Sequence, residues 1–283
     1  MYNKRRSVHH KEGKNLTGTQ TITFSGGCLA GYLLSGIVYI LLPAAAFLLM
    51  KKYSRARIFP VITGMTVYFL STRLADLAAH IAGSSLSYAN RAVIAAELVC
   101  FTEEAGRWLA MRYPVTDIKD TSSAVCLGIG HAGLECWIRG IQKFRIYQYG
   151  LDINRKGTES FVSGKAASVT EQLRSFAERP LGISILDSVE SISVFGVHIA
   201  LSLLIFKKLK SCGSEKRWLI LAVFLHYTVN FSGWLTSLTG NMLISDIIGI
   251  SCQAGVIAVV FRFISIRECA DEIRYPEFYD TQL

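Results

Sequence analysis

Apolar residues in this chain gather into long runs that end at short basic stretches. Residues 28–50 read CLAGYLLSGIVYILLPAAAFLLM, without a charge, and stop at Lys51-Lys52. As a helix, such a run crosses the ~30 Å of hydrocarbon in a bilayer. A second run begins near Ile183, continues through residues 199–206 and stops at Lys207-Lys208. Residues 219–238 and 243–263 are two more. Three further segments are apolar but carry ionisable residues: 58–81 (Arg73, Asp76, His80), 92–111 (Glu97, Glu103, Glu104, Arg107) and 121–142 (His131, Glu135, Arg139). The pattern predicts spans at about 28–50, 58–81, 92–111, 121–142, 182–206, 218–238 and 243–263. Lipid leaves backbone groups no partner outside helices and closed barrels. The ten-residue alternation of a barrel strand is absent. The expected fold is all-α, a polytopic transmembrane helix bundle of about seven spans.

Composition agrees. Of 283 residues, 51% are hydrophobic and 18% charged, against about 25% charged in soluble domains. The mean hydropathy is +0.35. A disordered chain, a collagen-like fibre and a disulfide-dense mini-protein are excluded. The seven cysteines form no CxxC pair and lie mostly in or beside spans, where Cys behaves as a small apolar residue. The remaining chain divides into a polar tail (1–22), a single transmembrane domain (23–266) with a polar connection at 143–180, and a charged tail (267–283). An amphipathic helix is expected around residues 166–178.

Charge sets the orientation. Loops 51–57 and 207–217 are rich in Lys and Arg, and the C-terminal tail carries Arg267 and Arg274. With seven spans all three fall on one side. That predicts a multi-pass membrane protein, N-terminus outside and C-terminus in the cytoplasm. The basic start (Lys4, Arg5, Arg6) and segment 143–180 argue the other way, but long loops weigh less in this rule. The first run is too long for a signal peptide and reads as a retained anchor. The net charge of +9 is accounted for by basic loops facing anionic lipid, so no nucleic-acid partner is implied.

An ionised side chain at the centre of a spanning helix costs about 2.5–3.5 kcal/mol on insertion scales. Several such groups on several spans mark a functional interior. In Glu103-Glu104-Ala-Gly-Arg107, both glutamates are within helical reach of the arginine, at i,i+4 and i,i+3. Arg107 can hold one carboxylate while the other, rotated by about 100°, faces elsewhere. In Gly128-Ile-Gly-His131-Ala-Gly-Leu-Glu135, His131 and Glu135 share a face among small residues that admit a close neighbour. His198 lies in an apolar span, with Glu190 eight residues earlier within about 80° of its face. His226 and Asn230 share a face at i,i+4. Asn offers a neutral donor suited to an oxyanion; His offers a donor, a base or a metal ligand. Read separately, each set also fits simple helix-to-helix hydrogen bonding. No GxSxG elbow or P-loop accompanies them.

EEAGR, GIGHAGLE, an isolated span histidine and HYTVNF, in that order, resemble the YhfC family of membrane peptidases. That family is grouped with the CPBP, or type II CAAX prenyl endopeptidase-like, intramembrane proteases, with PrsW and the Aph subunit of gamma-secretase more distant. The resemblance covers residues 24–265. It implies hydrolysis of a peptide bond in a membrane-associated protein or peptide. The paired glutamates fall on Glu103 and Glu104 with Arg107, spaced EExxR where the wider superfamily has EExxxR. Either glutamate can then be the base; Glu103 is favoured. The FxxxH motif falls on Leu127–His131 with Leu for Phe, the HxxxN motif on His226 and Asn230, and the separate histidine on His198. The implied catalytic set is Glu103, Glu104, Arg107, His131, His226 and Asn230, supported by Glu135, Glu190 and His198. One account has Glu103, oriented with His131, take the water's proton, with His226 and Asn230 on the oxyanion and Glu104 with Arg107 fixing the site. The other has Glu103, His131, His198 and His226 bind a divalent metal such as zinc. Two competing readings stand beside the protease: an Aph-like membrane scaffold without activity, and a proton or substrate transporter using the same charged interior.

Overall fold

Seven of the nine helices among the described residues are long, 23 to 36 residues each. They are α1 (Gly26–Tyr53), α2 (Ile58–Ala82), α3 (Tyr88–Arg112), α4 (Thr121–Lys156), α7 (Leu181–Lys210), α8 (Glu215–Ser237) and α9 (Met242–Arg274), with short α5 (Thr158–Val162) and α6 (Ala167–Ala177) between α4 and α7. The computed structural model describes residues 21–54, 56–82, 88–113, 118, 120–162, 167–210, 215–237 and 241–274, and holds no strand among them. Gly26–Tyr53, Ile58–Ile81, Leu181–Leu209 and Met242–Ser265 are long and apolar enough to cross a membrane. α3, α4 and α8 carry the ionisable sets. The protein is thus an all-α membrane bundle.

The axis of the bundle is α4, which packs against α1, α2 and α7. Its stretch Ala124–Gly133 is buried apart from half-exposed Val125, because small residues let three neighbours approach. A Cβ on Gly130 would lie 1.9 Å from the Val61 carbonyl oxygen of α2, and one on Gly64 2.0 Å from that of Leu127. A Cβ on Gly128 would lie 2.8 Å from the Cα of Ile199 on α7. Helices in lipid gain their packing from such backbone approach. Gly130→Ala is therefore expected to push α2 from α4 and to cost about 1–3 kcal/mol. A lowered thermal unfolding midpoint in detergent would show it.

Asp120 caps α4, its carboxylate accepting from the Ser123 N–H at 2.7 Å, and Gly157 ends it at φ 83°. At 36 residues, α4 is about 54 Å long, well beyond the hydrocarbon thickness. The connection expected from residue 143 is therefore helical to Lys156: Phe144, Ile146, Tyr147 and Ile153 carry a packed face of α4 onward beside charged positions. α6 takes up the expected amphipathic segment and seats Leu173 and Phe176 against Cys28 and Tyr32.

Ordered structure crosses both expected boundaries. Ile22, read as tail, is buried, and the Thr158 hydroxyl and Asn154 amide bond the Ile22 and Phe24 backbones at 2.7–3.1 Å. α9 continues to Arg274, past the expected start of the tail at 267. Residues 1–20 and 275–283 of the two expected tails lie outside the described residues.

Candidate active site

The α3 helix delivers Glu103, Glu104 and Arg107 to the interior, where none is more than 2% exposed. Arg107 Nη1 donates to Glu104 Oε1, and Nη2 stands 3.7 Å from Glu103 Oε2. Glu104 also accepts from His226 Nδ1 at 2.7 Å. Glu103 turns the other way and meets His131 Nε2 at 2.8 Å. The adjacent acids are thus divided: Glu104 is pinned by a guanidinium and an imidazole, while Glu103 lines a cavity.

His198 links the two halves. Its Nδ1 is 2.5 Å from Arg107 Nη2 and its Nε2 is 2.9 Å from Glu135 Oε2. Guanidinium only donates, so Nδ1 accepts, and Nε2 carries the proton given to the carboxylate. Glu135 Oε1 accepts in turn from Arg139 at 2.6 Å. For His226 the same reasoning puts the proton on Nδ1, because Glu104 accepts there. A neutral His226 then points the lone pair of Nε2 at Glu103 Oε2, 3.9 Å away. The His198 ring lies 4.9 Å from that of His131 and 5.3 Å from that of His226, centre to centre. The edge of Tyr68 covers His131 at 5.3 Å.

Beside them lies a cavity of about 480 Å³ lined by Glu103, Glu135, Glu190, His198, His226 and Asn230, among others. Asn230 gives one N–H to Cys100 Sγ at 3.1 Å. Its amide has two.

One donor atom each from Glu103, His198 and His226 lie within 4.8 Å of one another, all buried. Two imidazoles and a carboxylate are a donor set that zinc accepts. Two facing acceptors, His226 Nε2 and Glu103 Oε2, are an arrangement that a cation relieves. Glu104 behind His226 and Glu135 behind His198 supply the carboxylate–histidine support common in metal sites. Around the cluster three carboxylates (Glu103, Glu104, Glu135) outnumber two guanidiniums (Arg107, Arg139), which favours a cation. Glu103 and His226 Nε2 fit a divalent metal as they stand, and His198 joins them through Nδ1 once Arg107 Nη2 gives that nitrogen up.

The family model described as YhfC intramembrane metalloprotease matches residues 38–248. This chain belongs to the YhfC family. It is 24% identical over 212 residues to the uncharacterized membrane protein YhfC of Bacillus subtilis (strain 168), across 70% of this chain and 80% of that one. No solved structure matches.

In this YhfC member the structure gathers Glu103, Glu104, Arg107, His131, His198, His226 and Glu135 into one cluster of hydrogen bonds and ion pairs, with Asn230 on the wall of its cavity. Two shared faces do not become pairs. His131 bonds Glu103 and Glu135 bonds His198, each across helices, in place of the i,i+4 pair within α4. Glu190 lines the cavity but bonds Gln253, not His198. Arg73 and Asp76 pair with each other at 3.0 Å on the exposed side of α2, away from the site. The Glu97 side chain and His9-His10 lie outside the described residues. Tyr68, Thr72, Arg139 and Gln253 are the polar cavity-lining residues that the motif reading missed. Only Arg139 carries a sequence signal, its i,i+4 spacing from Glu135.

Proposed function

We propose that this YhfC-family chain is an intramembrane endopeptidase that hydrolyses a peptide bond of a membrane-associated protein or peptide. One observation carries the reading. A carboxylate on the wall of a polar cavity, 2.8 Å from His131 and 3.9 Å from His226, sits inside a bundle whose exterior is apolar. Burying it is expensive, and general-base chemistry is a use that justifies the cost.

Glu103 takes a proton from water as the water oxygen attacks the scissile carbonyl carbon. His131, bonded to Glu103 Oε2, holds the carboxylate in place. With Nε2 protonated as well as Nδ1, His226 donates to the oxyanion that develops, beside the second N–H of Asn230. Glu103 then passes the proton to the leaving nitrogen as the C–N bond breaks. Glu104 and Arg107 fix His226 and His198 and do not touch the substrate. Glu103, His226 Nε2 and, once Arg107 releases it, His198 Nδ1 would hold a divalent ion such as zinc, which would supply Lewis-acid polarisation. His131, bonded to Glu103 and 4.9 Å from the His198 ring, completes the group beside that set. The orientation with the N-terminus outside and the C-terminus in the cytoplasm belongs to the same proposal. Labelling of a single cysteine placed at either end of the chain tests it.

Chelation tests the metal. Protein purified without chelator is expected to hold one zinc-like ion per chain, and an excess of 1,10-phenanthroline to remove both ion and hydrolysis. Glu104→Gln, which weakens the acceptor behind His226, is expected to lower metal affinity about ten- to a hundredfold in a competition titration. Metal-free protein that hydrolyses peptides at full rate would leave Glu103 acting alone as the base.

A further inference from the structure

A second group of carboxylates lies along the same helix. Asp187 and Glu190 share a face of α7, Asp246 and Gln253 share a face of α9, and the two helices pack together. One oxygen of each of Asp187, Glu190 and Asp246 lies within 4.8 Å of the other two.

Their partners are unequal. Asp187 takes both nearby cations, Lys143 at 2.7 Å and Arg179 at 2.5 Å. Glu190 has the Gln253 amide at 3.4 Å, and Arg139 beyond it is engaged with Glu135. Asp246 is 9% exposed and its Oδ2 has no hydrogen-bond partner. Gln253 is 2% exposed, with Oε1 likewise unpartnered. Gly249, between them on α9, presents no side chain; a Cβ there would lie 3.5 Å from Glu190 Oε1. Buried polar atoms without partners are rare in folded proteins. Here two of them, one acidic and one an amide oxygen, are acceptors that lack a donor.

Charge chooses the class of donor. Three carboxylates against two cations leave one negative charge uncompensated, which one monovalent cationic group balances. Access chooses its source. Glu190 and Gln253 line the same cavity as Glu103, His198 and His226. Glu190 stands eight residues from His198, about 12 Å along α7. That distance is about four residues of extended peptide.

We propose that Glu190, Asp246 and Gln253 form a subsite for a basic residue of the substrate, binding its ammonium or guanidinium about four residues from the scissile bond. The proposal rests on the endopeptidase reading and names its substrate class: membrane-associated peptides with a Lys or Arg at that distance.

The test offers the full chain in detergent a degenerate library of apolar peptides, with Lys, Arg, norleucine or Glu at each position, and sequences the products by mass spectrometry. The wild type is expected to favour Lys and Arg over norleucine by about tenfold at one position. In Asp246→Asn that ratio falls to within about twofold of one, and Asp246→Lys shifts the preference to Glu. Glu190→Gln repeats the test if the Asp246 variants fail to fold. Equal cleavage of Lys and norleucine peptides overturns the subsite and leaves the endopeptidase standing. If no cleavage depends on Glu103, the endopeptidase reading fails, and thermal unfolding in choline, sodium or n-butylammonium chloride decides the subsite. Asp246-dependent stabilisation by butylammonium alone supports it. Stabilisation by sodium assigns the cluster to an inorganic ion and overturns it, as does stabilisation by neither.

Discussion

Glu103→Gln is expected to lower peptide hydrolysis by at least about a hundredfold, the lower end of what a positioned general base contributes. Glutamine keeps the shape of the side chain and an oxygen for the His131 N–H, so the fold has no reason to change. It takes no proton from water, and it is a poorer ligand beside His198 and His226. The rate should therefore collapse while the thermal unfolding midpoint holds within a few degrees. Glu104→Gln should do the reverse. Glu104 is held by Arg107 and His226, so its change loosens the cluster and the metal, and some turnover survives at saturating zinc. Rates and unfolding midpoints of both variants, measured on one preparation, separate the two adjacent glutamates.

The largest effect on stability is expected from Arg107→Met. Arg107 is fully buried and touches Glu103, Glu104 and His198. Methionine fills much of its volume but supplies no donor. Glu104 then keeps only the His226 bond, with Oε2 already lacking a partner. Breaking a buried pair by removing one member costs about 3–5 kcal/mol, because a charge is left uncompensated. Denaturant unfolding in micelles should show that loss. Adding Glu104→Gln should recover part of it, because the stranded charge is gone. A single variant within about 1 kcal/mol of wild type would mean that the network is weaker than its geometry implies.

How much of this was legible in the residues differs between fold and site. Uninterrupted apolar runs reveal α1, α7 and α9, since only a helix makes such a run soluble in lipid. The ends were harder to read. Residues 143–156 mix charged positions with Ile146, Tyr147 and Ile153, which pack in the cluster of Cys28 and Tyr32, and their polar share hides a helix that runs on past the membrane. In the site, i,i+4 spacing put His131 with Glu135 and His226 with Asn230 on shared faces, and only the resemblance set His131 beside Glu103. His131 and Glu135 share a face, yet each finds its partner across a helix interface. The glycines that bring α2 and α7 onto α4 are what make those meetings close. Asp246 and Gln253 were hidden for a different reason. Each is a single polar residue in an apolar run, and only the packing of α9 on α7 sets them beside Glu190.

The central claim is that the buried Glu103 cluster hydrolyses peptide bonds in the membrane. N-terminal proteomics of membranes from cells producing either the wild type or Glu103→Gln, at matched abundance, tests it most directly. The predicted result is a set of new N-termini within membrane-associated proteins, present with the wild type and absent with the variant. Identical N-termini in the two samples, with both proteins folded and loaded with metal, would contradict it and return the charged interior to a scaffold or a transport path.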